Sequence, residues 1–145
     1  MPLAQRSESV VAALGSVPVE LRPRVDQAWA QALTAPAHVG PALWLHGDLH
    51  GLNVLASRGR ITGVIDFGDL CAGDPATDLA CAWLLLDNSG RERMRAALRV
   101  DDATWTRGRG WALVFGLMFL SHGADAPVNT AIGRRALAEV LDELA

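Results

Sequence analysis

Leu45-His46-Gly47-Asp48-Leu49-His50-Gly51-Leu52-Asn53, followed by Val64-Ile65-Asp66-Phe67-Gly68-Asp69, is the stretch whose reading decides the fold. An Asp, an Asn five residues later and a second Asp 13 residues beyond that bracket a hairpin signal. Ala42 to Leu45 is a short apolar run entering the segment. Asn53 to Ala56 and Arg60 to Ile65 read as two strands joined by Ser57-Arg58-Gly59. The open end of such a hairpin would bring Asp48 and Asp66 near each other.

Side chains of these types suit phosphoryl transfer with magnesium. The reaction asks for a carboxylate that orients and deprotonates a hydroxyl, and for hard oxygen ligands on a metal that carries phosphates. Asp48, on a loop after a short strand, is the candidate base. Asn53 offers a neutral oxygen ligand, and Asp66, on the loop after the last strand, offers an anionic one. Gly47, Gly51 and Gly68 allow close backbone approach to a polyphosphate.

Outward from this segment the pattern is helical. Ser7 to Leu14 reads as a short helix. Pro23 to Leu33 reads as a second, with Leu21, Val25, Trp29 and Leu33 at intervals of four. Thr34 to Pro41 is a loop. Asp74-Pro75 starts a helix that runs through Leu79, Ala82, Trp83 and Leu86 and is apolar on nearly every side, so burial is expected. Arg91 to Arg99 predicts a basic, exposed helix. Asp101 or Asp102 caps a longer one through Trp105, Trp111, Phe115 and Phe119, where Gly116 permits a kink or close packing. Val128 to Leu144 closes the chain, with Val128, Ile132, Leu137, Val140, Leu141 and Leu144 on one face.

Composition narrows the function classes. The chain has 145 residues, half of them hydrophobic, a size that predicts one domain with a real core. A net charge of −3 with no basic run argues against nucleic acid as partner. Cys71 and Cys81 make no disulfide framework and predict small buried thiols in a reducing cytoplasm. The N-terminus lacks the pattern of a signal peptide, and the apolar run Trp111 to Leu120 is about half of a bilayer span. All 13 basic residues are arginine, so the chain contains no lysine.

His46-Gly47-Asp48-(four residues)-Asn53, then Ile65-Asp66-Phe67-Gly68-Asp69, then Gly73-Asp74-Pro75-Ala76-Thr77-Asp78-Leu79-Ala80 resemble, in type and order, the aminoglycoside phosphotransferase family with its macrolide, choline and homoserine kinase relatives. The resemblance implies an α+β, mostly α fold. It would be a protein-kinase-like C-terminal lobe, with a small β-hairpin carrying the catalytic and metal loops on a helical body, as a single domain over residues 1–145. It implies Asp48 as the catalytic residue and Asn53 and Asp66 as magnesium ligands. His46 matches a histidine packed under the metal loop. His50 stands where protein kinases carry a lysine near the transferred phosphate; a phosphate contact and a loop-shaping role both stay open. Asp69 stays open between phosphate-site polarity and hydrogen-bonding the loop. Gly51-Leu52 departs from the family's commoner Pro-Gly, which alters loop stiffness and not ligand chemistry.

Asp78 can be read without the family. It falls on an otherwise apolar helix in register with Ala82 and Leu85, and a carboxylate on a buried stripe needs a partner. The resemblance implies that this partner is the catalytic loop's backbone. Asp74 reads as a cap. The five tryptophans read as core, although one near the pocket could meet a substrate. His38 and His122 are isolated. The acidic set Asp87, Asp125, Glu139, Asp142 and Glu143 could receive a cationic antibiotic, but reads better as a solvated helix face.

The implied activity is ATP- or GTP-dependent, magnesium-assisted transfer of the terminal phosphate to a hydroxyl of a small molecule, an antibiotic such as an aminoglycoside or macrolide, or a related metabolite. The family's N-terminal nucleotide-binding lobe has no counterpart here. No glycine-rich loop follows a strand, and no lysine is present to grip the phosphates. The expectation is therefore a fragment of a longer enzyme, a natural truncation, or a chain that works with a second copy or a partner across a partly apolar surface. The alternative is a catalytically silent binding or oligomerisation domain.

Overall fold

The computed structural model describes residues 2–122 and 126–144. The elements run α1 (Ser7–Ala13), α2 (Arg22–Thr34), β1 (Leu43–Leu45), β2 (Val54–Ser57), β3 (Arg60–Val64), β4 (Cys71–Gly73), α3 (Ala76–Leu79), α4 (Cys81–Leu85), α5 (Asn88–Leu98), α6 (Asp102–Ser121) and α7 (Pro127–Asp142). The architecture is α+β and mostly helical.

Helix α6 is the axis of the molecule. Asp101 caps it by accepting the Thr104 N–H at 2.8 Å, so its start is fixed by sequence. It packs against α1, α2, α3, α4 and α7. The fully buried Val25, Trp83, Leu113, Leu117 and Val140 come from α2, α4, α6 and α7, each side chain stabilising by roughly 1.5–3 kcal/mol when removed from water. Gly116 lets α7 come close: a Cβ there would lie 3.0 Å from the Ala136 Cβ, and one on Gly133 2.8 Å from the Gly116 oxygen. Close packing is therefore the role of Gly116.

Two antiparallel strand pairs complete the fold. The hairpin β2–β3 turns through Arg58 and Gly59, both at positive φ (52° and 74°), as a two-residue type I′ connection requires. Its register slips between Leu55 and Ala56, which leaves Thr62 bulged. The second pair, β1 with β4, was not expected. Leu43 faces Gly73 and Leu45 faces Cys71, so the chain returns from the Ile65–Asp69 segment to lie beside the strand that enters the His46 segment.

Several expectations are corrected. The helix after Pro75 breaks at Ala80 into α3 and α4 instead of running on to Leu86, although it is buried as expected. The basic helix α5 is not uniformly exposed, because Arg91 is buried and bonded to Glu139 and the Leu86 carbonyl. Val128 and Leu33 face solvent. Trp44 is 78 % exposed on β1, whereas the other four tryptophans are core. Cys71 is exposed. Cys81 is buried, and burial, with Asp78 nearby, pushes its thiol up to about 12. No helix among the described residues is long and apolar enough to cross a membrane.

Candidate active site

The strand pairs hold two loops against each other. The first, from His46 to Asn53, follows β1; the second, from Ile65 to Asp69, follows β3. Charged and polar side chains are seldom buried without partners. Five described residues of this kind are buried, and three of them, His46, His50 and Asn53, lie in the first loop. Their partners explain the loop's shape.

Asp78 on α3 accepts the His46 N–H at 2.7 Å through Oδ2 and the Gly47 N–H at 2.9 Å through Oδ1. One carboxylate thus fixes two consecutive backbone donors. Gly47 has φ +85°, and a Cβ there would overlap the carbonyl oxygen of Asp69. The two loops meet at that point, and only glycine fits it.

The His46 ring bridges the same two loops. Its Nδ1 accepts the Asp48 N–H at 3.3 Å, so Nε2 carries the proton and donates it to the Ile65 carbonyl at 2.8 Å. Phe67 covers the ring at 4.7 Å between centroids. The Ile65 N–H in turn donates to the Asn53 carbonyl at 3.0 Å. Asn53 and Asp66 are therefore held at the open end of the hairpin.

Asn53 spends both amide hydrogens on Asp48, one on its carbonyl at 2.9 Å and one on its Oδ2 at 3.3 Å. Among the described residues no donor reaches Asn53 Oδ1. Asp66 is exposed, in left-handed backbone (φ 61°, ψ 64°), which Asp tolerates better than most side chains. No described arginine or histidine forms an ion pair with Asp66 or Asp69. Among the described residues no group of three or more His, Cys, Asp or Glu is placed to hold a metal by itself. A neutral oxygen and a carboxylate nevertheless fit magnesium, which keeps waters and takes its remaining oxygens from substrate phosphates.

His50 is buried, with Nε2 3.1 Å from Asp48 Oδ2 and Nδ1 accepting the Leu52 N–H at 3.2 Å. Phe119 of α6 stands edge-to-face against its ring at 4.9 Å. Phe119 carried no local signal, being 69 residues away in sequence on a helix that reads as core. Asp69 makes no side-chain hydrogen bond to a described residue; its backbone oxygen is what meets Gly47.

Other expectations resolve as structure. Asp74 caps α3 by accepting the Ala76 N–H at 3.0 Å, and also pairs with Arg107, from Nε to Oδ2 at 2.6 Å. Buried Arg107 also donates to the Pro36 carbonyl and so ties down the loop before β1. Burial raises the Asp74 pKa, but the Arg107 hydrogen bond, the Ala76 N–H and the guanidinium charge outweigh it and hold the carboxyl below its ordinary value. Of the acidic set, Asp87 and Asp142 face solvent as expected, whereas Glu139 and Glu143 are half-buried. Asp87 caps α5, Glu139 pairs with Arg91, and Glu143 accepts from the indoles of Trp83 and Trp105 at 2.7 and 2.9 Å. Asp125 lies outside the described residues. A cavity of about 350 Å³ beside β1 and β4 is lined by Leu3, Ala32, His38, Gly73, Asp74 and Arg107, and includes none of Asp48, Asn53 and Asp66.

The two loops are thus locked together by hydrogen bonds: Asp66 is exposed and adjoins Ile65, which pairs with Asn53, and the Asn53 amide is bonded to Asp48. The chain belongs to the phosphotransferase enzyme family (APH), whose family model matches residues 2–111. The match contains every residue of both loops as well as Asp74, Asp78 and Arg107. No solved structure matches the chain.

Proposed function

We propose that the chain is the C-terminal lobe of a protein-kinase-like small-molecule kinase. It would transfer the terminal phosphate of ATP or GTP to a hydroxyl of an antibiotic, such as an aminoglycoside or macrolide, or of a related metabolite. The observation that carries this reading is the division of labour in Asn53. Its side-chain amide hydrogens are consumed by Asp48, while among the described residues its side-chain Oδ1 is left without a donor, at the hairpin end that also bears Asp66. In this reading Asn53 and Asp66 hold magnesium. The ion would neutralise charge on the phosphates when bound. Asp48 orients the acceptor hydroxyl and takes its proton. His46 and Asp78 hold the loop that carries Asp48, and Asp69 contributes polarity at the phosphate side.

Calorimetry with magnesium–ATP tests the reading. Binding at millimolar nucleotide is expected, with its magnesium dependence lost in Asp66→Ala. Asp48→Asn should abolish turnover and keep binding. Absence of heat from a folded sample would remove autonomous catalysis.

A second reading, a catalytically silent binding or oligomerisation domain, draws support from two observations. The chain has no lysine to grip phosphates, and large apolar side chains, Trp44 on β1, Ile61 on β3 and Phe67 against His46 among them, are exposed. A second copy or a partner chain would cover such side chains under either reading. Retained assembly with no nucleotide binding is the result that favours the second.

A further inference from the structure

We infer that His50 is a positioning residue for Asp48, making its carboxylate one-sided, and that it does not touch the transferred phosphate. This rests on the kinase reading of the site and deepens it. The argument begins with the imidazole's two nitrogens. The Leu52 N–H donates to Nδ1, so Nδ1 carries no proton and the neutral ring must carry it on Nε2. That N–H faces Asp48 Oδ2 at 3.1 Å. With both nitrogens engaged inside the loop and the side chain 9 % exposed, none is left for a phosphate oxygen. Asn53 Nδ2 lies 3.4 Å from His50 Nε2, and since both are donors this contact is a shared approach to one acceptor.

Both donors converge on the same atom. Asp48 Oδ2 receives the His50 N–H and, at 3.3 Å, an Asn53 N–H, whereas among the described residues nothing donates to Oδ1. The Asp48 side chain is 28 % exposed. Its two oxygens therefore differ: Oδ2 is tied to the protein, and Oδ1 is the one left to accept a proton from an incoming hydroxyl. The proton moves from that hydroxyl to Oδ1 as the oxygen–phosphorus bond forms and the bond to the leaving diphosphate breaks, so charge and atoms balance within carboxylate, acceptor and nucleotide. Phe119 completes the device. Its edge-to-face contact at 4.9 Å (interplanar angle 88°) buttresses the plane of the imidazole from α6, while the Leu52 N–H on Nδ1 selects the ring orientation that aims Nε2–H at Asp48.

The test combines tautomer, binding and kinetics in the full chain. Imidazole nitrogen shifts should show His50 as the Nε2–H tautomer; an Nδ1–H tautomer overturns the inference. His50→Ala should lower kcat about 100-fold, the scale of a misoriented catalytic group, and leave the Kd for magnesium–ATP within about twofold. His50→Gln can supply an amide donor to Asp48 and a carbonyl acceptor to Leu52, and should recover most of that loss. A parallel fall in nucleotide affinity would make His50 a phosphate ligand and overturn the assignment, as would a His50→Gln no better than His50→Ala. An unaltered His50→Ala in an active chain overturns positioning alone. A wild-type chain that neither binds nor turns over magnesium–ATP overturns the kinase reading, and positioning falls with it.

Discussion

Asp78 and Gly47 are the residues on which the loop geometry turns. Removing the Asp78 carboxylate leaves two adjacent N–H groups without acceptors, at about 1–3 kcal/mol for each. Asp78→Ala should therefore cost roughly 2–4 kcal/mol in urea unfolding, and Asp78→Asn, which keeps one acceptor oxygen, clearly less. Equal losses would mean that packing, and not the paired hydrogen bonds, holds the loop. At Gly47 a side chain meets both positive φ and the Asp69 carbonyl, so Gly47→Ala should cost at least about 2 kcal/mol. Its loss should exceed that of Gly15→Ala, where nothing lies within 4 Å. The residues of the two loops could be named from sequence because their types and spacing are rare together. Their bonding could not. Which oxygen of Asp48 is tied, which nitrogen of His50 is protonated and that Phe119 reaches the ring are all set by tertiary contacts between segments far apart in sequence.

The starts of α3 and α6 and the hairpin were legible at the level of elements because their signals are local, whereas α5 begins at Asn88, capped by Asp87, three residues before the expected Arg91. Asp74-Pro75 and Asp101 act through a side chain and its own next turn, and Arg58-Gly59 selects its turn type unaided. The partner strand β4 was not legible: Cys71-Ala72-Gly73 is too short to show alternation and contains no strong strand former. The break at Ala80 lacks a glycine or proline to announce it. Asp101→Ala should cost about 1 kcal/mol, since one hydroxyl and one backbone donor of the first turn of α6 lose their acceptor. Asp74 yields a pH-dependent prediction. Its folded-state pKa lies below the ordinary 3.8. Its contribution is therefore present above the unfolded pKa and lost as pH falls through the folded one. The stability gap between wild type and Asp74→Asn should be widest above about pH 5 and close as acid protonates the wild-type carboxyl. A gap that stays constant from neutrality into that acid range would mean that the Arg107 pair adds nothing beyond a neutral hydrogen bond.

For the molecule as a whole, hydrophobic periodicity was enough to find the helical body, because α2, α4, α6 and α7 bury their apolar residues against one another. It misplaced Trp44 for a physical reason. Periodicity says which residues are apolar, not whether the surface they form has a cover. Trp44 on β1 and Ile61 on β3 are 78 % and 71 % exposed, and Phe67 and Leu70 in and beside the loop after β3 are more than half exposed. Large apolar side chains exposed in this number on the strands and the loop after β3 make that part of the molecule a candidate interaction surface, since single exposed residues are ordinary but contiguous patches are not. Burying such a face against a second copy removes apolar area from water at about 25 cal/mol per Å² before the costs of association. The chain should therefore sediment above monomer mass at tens of micromolar, and Trp44→Glu combined with Ile61→Glu should return it to monomer. Because both side chains already face solvent, the double variant should stay within about 1 kcal/mol of wild type in stability. A monomeric wild type whose solubility and sedimentation ignore both substitutions would show that these side chains have no affinity for a second copy.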